Sequence, residues 1–229
     1  MKMQRSLSLS IKCYVGMVAV LAVLLAVMRV LHVEVAIPVS QRALLTPPAL
    51  LVIALLGLVG TCLLEKTGFP GIWDAQISIR HKLFIPLLLG VAFGIGFITI
   101  GFLEFLPNPE EPPFPLSLAY WVYGGVVSEI VFRLFPIPFL VWLISTLLLR
   151  GRAQGPVTWV AGVLSSLLEP LSQVGGMLLL GIDSGPGIVV PFVLNLSANL
   201  VLARLFAKYG LGASIAMRLA FYLIWHGIL

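Results

Sequence analysis

The sequence predicts an all-α fold: a polytopic membrane helical bundle of about seven transmembrane helices, with the N-terminus in the cytoplasm. Three observations carry that expectation. Of the 229 residues, 60% are hydrophobic and only 10% are charged, where a soluble domain has about 45–50% and 25%. The apolar residues gather into runs of about 20, the length a helix needs to cross the hydrocarbon core. Basic residues concentrate on alternate loops. With a mean hydropathy of +1.10, a cytosolic enzyme, a disordered tail and a disulfide-rich secreted module are excluded. The net charge of +5 comes without a basic stripe interleaved with aromatics. It reads as cytoplasmic loops and not as a nucleic-acid surface. The partner implied is the lipid bilayer, and the expected location is the cell membrane, crossed several times.

The expected spans are 11–33, 47–64, 83–106, 116–149, 156–181, 187–207 and 211–229. The first follows Lys2, Arg5 and Lys12, as a signal peptide would. Its apolar run is too long for a signal core, however, and no small-residue cleavage site follows, so it is read as a retained helix. After the second span, the segment Glu65–Lys82 (EKTGFPGIWDAQISIRHK) suits the interface, with Trp73 at headgroup depth. The third span carries Gly90 and Gly94 as a GxxxG helix-packing signal. The loop Pro107–Pro115 (PNPEEPPFP) is too rich in proline to be helical. Pro136 and Pro138 should kink or break the long fourth span, and Pro170 with Gly175 and Gly176 should do the same in the fifth. Broken helices occur at membrane depth where protein shelters the backbone or where it lines a wet cavity. Cys13 and Cys62 lie in apolar runs and read as small core residues. There is no soluble domain. The chain divides into a two-helix N-terminal region, 1–64, and a membrane core, 65–229.

Loop charge sets the orientation. With a cytoplasmic N-terminus, the inner segments and their flanks hold Lys2, Arg5, Lys12, Lys66, Arg80, Lys82, Arg150, Arg152, Arg204 and Lys208. The outer segments hold Arg42 and the acids Glu34, Glu110, Glu111 and Asp183. That asymmetry is the positive-inside pattern.

Charges inside a span cost about 2.5–3.5 kcal/mol each on insertion scales, so each one marks a candidate site. Glu129, Arg133, Glu169 and Arg218 lie well inside, and their charges cancel. Glu129 and Arg133 are four apart and share a helix face. They are either an internal ion pair holding a kinked helix, or a general-base carboxylate oriented by a guanidinium. Glu104, near an outer end, reads as interfacial. His32, His81 and His226 read as edge residues. Zinc hydrolysis wants three His, Cys or carboxylate ligands and an open position. No HExxH, CxxC or GxSxG occurs.

The segment Tyr123-Gly-Gly-Val-Val-Ser-Glu-Ile-Val-Phe-Arg-Leu-Phe135 resembles the EExxxR motif of the CAAX-protease and bacteriocin-processing family of intramembrane metal-dependent endopeptidases. Glu129 and Arg133 match its second glutamate and arginine, and Ser128 replaces the first glutamate. The C-terminal stretch resembles the family's asparagine followed, fifteen positions on, by GLEAAxLAHFxxDLVLH. Asn195, Gly210, Leu211, Ala213 and His226 match it without a gap. The segment 68–78 and the prolines before the fourth span are also similar, so the resemblance covers about 65–229. It implies a metal-dependent endopeptidase in which glutamates activate a water and two histidines hold a divalent metal such as zinc.

The departures fall on the ligands. Where the family's FxxxH motif belongs, this chain reads Leu167-Leu-Glu-Pro-Leu-Ser-Gln173, with Ser172 or Gln173 in place of the histidine. The other histidine position holds Arg218, and the Asn or Asp four residues later is Tyr222. A guanidinium cannot deprotonate to bind a metal and repels one. The first expectation is therefore a divergent, non-catalytic copy with no metal cofactor, binding or scaffolding a membrane helix or lipidated peptide. The alternatives are an active endopeptidase with ligands rearranged to Glu129, Glu169 and His226, or a small-solute transporter. The charges carry one further expectation. If the fold gathers the motifs around one centre, Arg218 should bridge Glu169 or Glu129, or both.

Overall fold

The computed structural model describes residues 2–33, 42–102, 112–179 and 185–228. Among them the chain is helical, with no strand. The helices are α1 (Lys2–Val30), α2 (Pro47–Leu64), α3 (Ile85–Phe102), α4 (Leu116–Glu129), α5 (Pro136–Val141), α6 (Gln154–Leu179), α7 (Gly185–Tyr209) and α8 (Leu211–Ile228). Wider π-helical turns lead into α3 (Arg80–Phe84), join α4 to α5 (Ile130–Leu134) and follow α5 (Trp142–Leu148). Glu34, Glu104, Glu110, Glu111 and Asp183 lie outside the described residues, as does most of the proline-rich loop.

Five stretches are long and apolar enough to cross a membrane: Leu7–Val30, Pro47–Thr67, Arg80–Phe102, Leu116–Leu148 and Ile188–Tyr209. They coincide with five of the seven expected spans. The fifth and seventh expected spans form as α6 and α8, outside that group. α6 is diluted by Ser165, Ser166, Glu169, Ser172 and Gln173, and the 18-residue α8 carries Arg218 and His226.

The fourth span is the axis of the bundle: Ile130, Leu134, Ile137 and Val141 are 0% exposed. Its prolines interrupt the α-helix, and a neighbouring helix takes up one of the backbone groups they release. Pro136 has no N–H, so the Phe132 carbonyl one turn earlier loses its helical donor. The Ser165 hydroxyl of α6 donates to that carbonyl instead. Pro138 releases the Leu134 carbonyl in the same way, and this oxygen lies against Gly60 of α2, where a Cβ would sit 2.1 Å from it. The break takes the form of a π turn, with the Phe135 N–H donating to the Ile130 carbonyl at 3.1 Å. In α6 the expected break does not occur. The helix runs unbroken through Pro170, Gly175 and Gly176. A proline deletes one helical hydrogen bond, and a helix flanked by others tolerates that loss.

α3 lies along α8, and the GxxxG pair forms the seam. A Cβ on Gly90 would stand 2.3 Å from the Met217 carbonyl oxygen, and one on Gly94 2.7 Å from the Ile224 side chain. Gly90→Leu should therefore cost at least the ~1–3 kcal/mol of an overpacked core, read as a lower unfolding midpoint in detergent. Gly96→Leu is the control, because a Cβ there comes no nearer than 3.9 Å to Leu194. Equal midpoints for the two variants would show that the seam is not close-packed.

The segment 65–82 folds against the turn between α7 and α8. Phe69 and Ile72 are buried, and His81 stacks on Tyr209 at 4.9 Å. Lys82, expected as a loop cation, is 5% exposed and sits 4.6 Å from the centroid of the Trp73 ring, which remains 44% exposed. The turn that carries it packs on α8. Both cysteines are free and partly buried.

Candidate functional site

The four charges expected inside the membrane, spread over 89 positions of sequence, converge on one point. Glu129 closes α4, Arg133 follows one turn later, Glu169 comes from α6 and Arg218 from α8. Their exposures are 0%, 0%, 6% and 2%. Arg218 Nε donates to Glu129 Oε1 at 2.6 Å. Its two terminal nitrogens grip Glu169 side-on, Nη1 to Oε1 and Nη2 to Oε2, each at 2.7 Å. Nη1 also donates to the Tyr222 hydroxyl at 3.2 Å, and Nη2 to Asn199 Oδ1 at 3.3 Å. A guanidinium has five N–H donors in a rigid fork, and here all five are used. The expected bridge across both carboxylates is present, with the two-point geometry that makes arginine–carboxylate pairs strong.

Arg133 is the lesser cation. Its Nη1 lies 3.3 Å from Glu169 Oε2 and 3.5 Å from Glu129 Oε1. Its Nε and Nη2 have no partner among the described residues, and neither does Glu129 Oε2. The two cations and two carboxylates cancel, which is the condition for burying ions at all. Arg218 therefore holds the centre together, and Arg133 balances its charge.

A shell of amides and hydroxyls extends from the charges. The Asn199 amide donates to the backbone and side-chain oxygens of Asn195, and Asn195 in turn donates to Gln173. The Ser172 hydroxyl donates to the Glu169 carbonyl at 2.7 Å. Gln173, Asn195, Asn199, Arg218 and Tyr222 thus belong to one connected polar network. His226 lies two turns beyond Arg218 in an aromatic group, with ring centroids 4.1 Å from Trp225, 5.3 Å from Tyr222 and 5.6 Å from Trp121.

Sequence reasoning missed Asn199, Ser165 and Ser166. Asn199 is 1% exposed and joins Arg218 to Asn195. Its signal was available: it lies four residues after Asn195 in an apolar stretch, which puts both amides on one helix face. Ser166 donates to the Asn199 carbonyl at 3.0 Å, tying α6 to α7. No local pattern marks a serine for that task.

The donor set does not fit a divalent metal. Both carboxylates are already bonded to guanidinium groups, and no three of His, Cys, Asp and Glu come together among the described residues. Both carboxylates are buried, Glu129 at 0% and Glu169 at 6% exposure. What the arrangement does chemically is cross-link α4, α6 and α8 through charge. Compared with protein-family models, with curated proteins and with solved structures, the chain matches none of them.

Proposed function

We propose that this chain is a divergent, non-catalytic member of the CAAX-protease and bacteriocin-processing type, which serves in the cell membrane as a binding or scaffold protein. In this reading it crosses the bilayer seven times from a cytoplasmic N-terminus. α6 and α8 complete the seven, their charges neutralised inside the bundle. The protein holds a membrane helix or a lipidated peptide. One observation carries the reading. Arg218 stands at the position of a motif histidine and directs its donors at Glu129 and Glu169, the carboxylates nearest to the family's water-activating and metal-binding positions. A permanent cation there replaces the ion's role as a tie between helices and leaves no ligand set for a metal. The apolar flank of α6, with Leu164, Leu168 and Leu171 about half exposed, faces outward and is available to a partner helix.

Two experiments test the reading. The purified protein should contain no stoichiometric zinc by elemental analysis and should leave prenylated and helical peptides uncut. Cleavage that Glu129→Gln abolishes would overturn the non-catalytic assignment. For topology, a reporter fused after Arg152 should read cytoplasmic, and one inserted in the Pro107–Pro115 loop should read external. The reverse pattern refutes the orientation.

A further inference from the structure

A groove of about 910 Å³ runs between α6 and α7, closed at one end by Thr67, Gly68 and Phe69. It does not touch the ionic centre. On α6 its lining runs from Gln154 and Gly155 to Leu167, and on α7 from Ala207 to Leu196. At about 1.5 Å of rise per residue, both walls are roughly 16–20 Å long. That is little more than half of a hydrocarbon core of about 30 Å, so the groove has the depth of one leaflet.

Its chemistry is graded along that length. The deep end is lined by Val163, Leu167, Leu196 and Leu200, and the floor by the small residues Gly162 and Ala203. At the other end stand Thr67, Gln154 and Arg204. Arg204 is the only charged residue in the lining. It is exposed, and among the described residues it forms no salt bridge, unlike Arg133 and Arg218. Lys66, Arg152 and Lys208 lie within two residues of the lining in sequence, against two acids: Glu65, of which one carboxylate oxygen is buried, and Glu169, whose charge is taken up by Arg218 and Arg133. Trp159, 68% exposed, forms the outer lip.

We infer that this groove is a binding site for an anionic glycerophospholipid, with an acyl chain along the Gly162–Ala203 floor and the phosphate at Arg204. The fit rests on charge complementarity at one end and apolar length at the other. A zwitterionic lipid offers the same chain without the net charge. The site is independent of whether the ionic centre catalyses anything.

The test is native mass spectrometry of the detergent-solubilised full chain, with phosphatidylglycerol or phosphatidylcholine of identical acyl chains. Each basic group near a lipid phosphate contributes enough for about a fivefold preference, so phosphatidylglycerol should be retained about fivefold over phosphatidylcholine. Arg204→Gln, at the exposed end, should abolish that preference while leaving chain binding in place. Gly162→Leu should displace both lipids by filling the floor. Equal retention of the two lipids by the unmodified protein, or a preference unchanged in Arg204→Gln, overturns the proposal. So does a protein dimer that Gly162→Leu dissociates, since the groove would then be occupied by a second copy of the chain.

Discussion

Arg218→Ala is expected to lower the unfolding midpoint of the detergent-solubilised protein by roughly 6–20 °C. This follows from a loss of about 3–5 kcal/mol for breaking a buried pair, at about 2–4 °C per kcal/mol in a chain of this size. The loss is large because of what stays behind. Without Arg218, Glu129 and Glu169 share Arg133 alone, at 3.5 and 3.3 Å, and the centre carries a net negative charge at membrane depth. Asn199 Oδ1 and the Tyr222 hydroxyl lose a donor as well. Arg133→Met should cost less, because Arg218 still holds both carboxylates and the removed guanidinium leaves behind few satisfied bonds. Arg204→Ala, on the exposed groove edge, should cost least. A midpoint for Arg218→Ala no lower than that for Arg204→Ala would mean that the buried bridge contributes nothing to stability.

The second large effect is a recovery. Glu169→Met alone strands two cations around one carboxylate, and Arg218→Met alone strands two carboxylates around one cation. The double variant leaves Glu129 with Arg133, a neutral pair four residues apart on one helix face. Apolar side chains then fill the space between α6 and α8. Replacing a buried ion pair by apolar groups is often neutral or stabilising, whereas removing one partner is costly. The double variant should therefore melt above both single variants, with a coupling of about 2 kcal/mol or more. Additive losses would show that the two side chains do not form a unit. A double variant that keeps its stability but loses phosphatidylglycerol would instead reveal an unexpected link between centre and groove.

The helical membrane class was legible in the sequence because hydropathy and helix length are local quantities. The Gly90–Gly94 seam was legible for the same reason, since closely approaching helices need small residues at one-turn spacing. The prolines of the fourth span announced a break, but its form came from elsewhere in the chain. Ser165, on another helix, satisfies the carbonyl that Pro136 releases, and Gly60, on a third, leaves room for the Leu134 carbonyl. Pro170 marks the opposite outcome. The same residue type sits in an unbroken helix, and nothing local distinguishes the two cases.

The ionic centre divides along the same line. Unpaired ions at membrane depth are too costly, so four charges summing to zero were expected to meet if the fold gathered the motifs around one centre. The i, i+4 spacing joined Glu129 to Arg133. Which cation dominates was settled in three dimensions. Arg133 is nearer in sequence, yet Arg218, 89 positions from Glu129, makes the short bonds. Only the placement of α8, packed on α4 and α7, lets one guanidinium fork reach Glu129 at the end of α4 and Glu169 on α6. Spacing along a helix sets which side chains share a face, but helix packing determines which faces meet. A bidentate bond needs its atoms in place to within a few tenths of an ångström, and only the assembled bundle provides that.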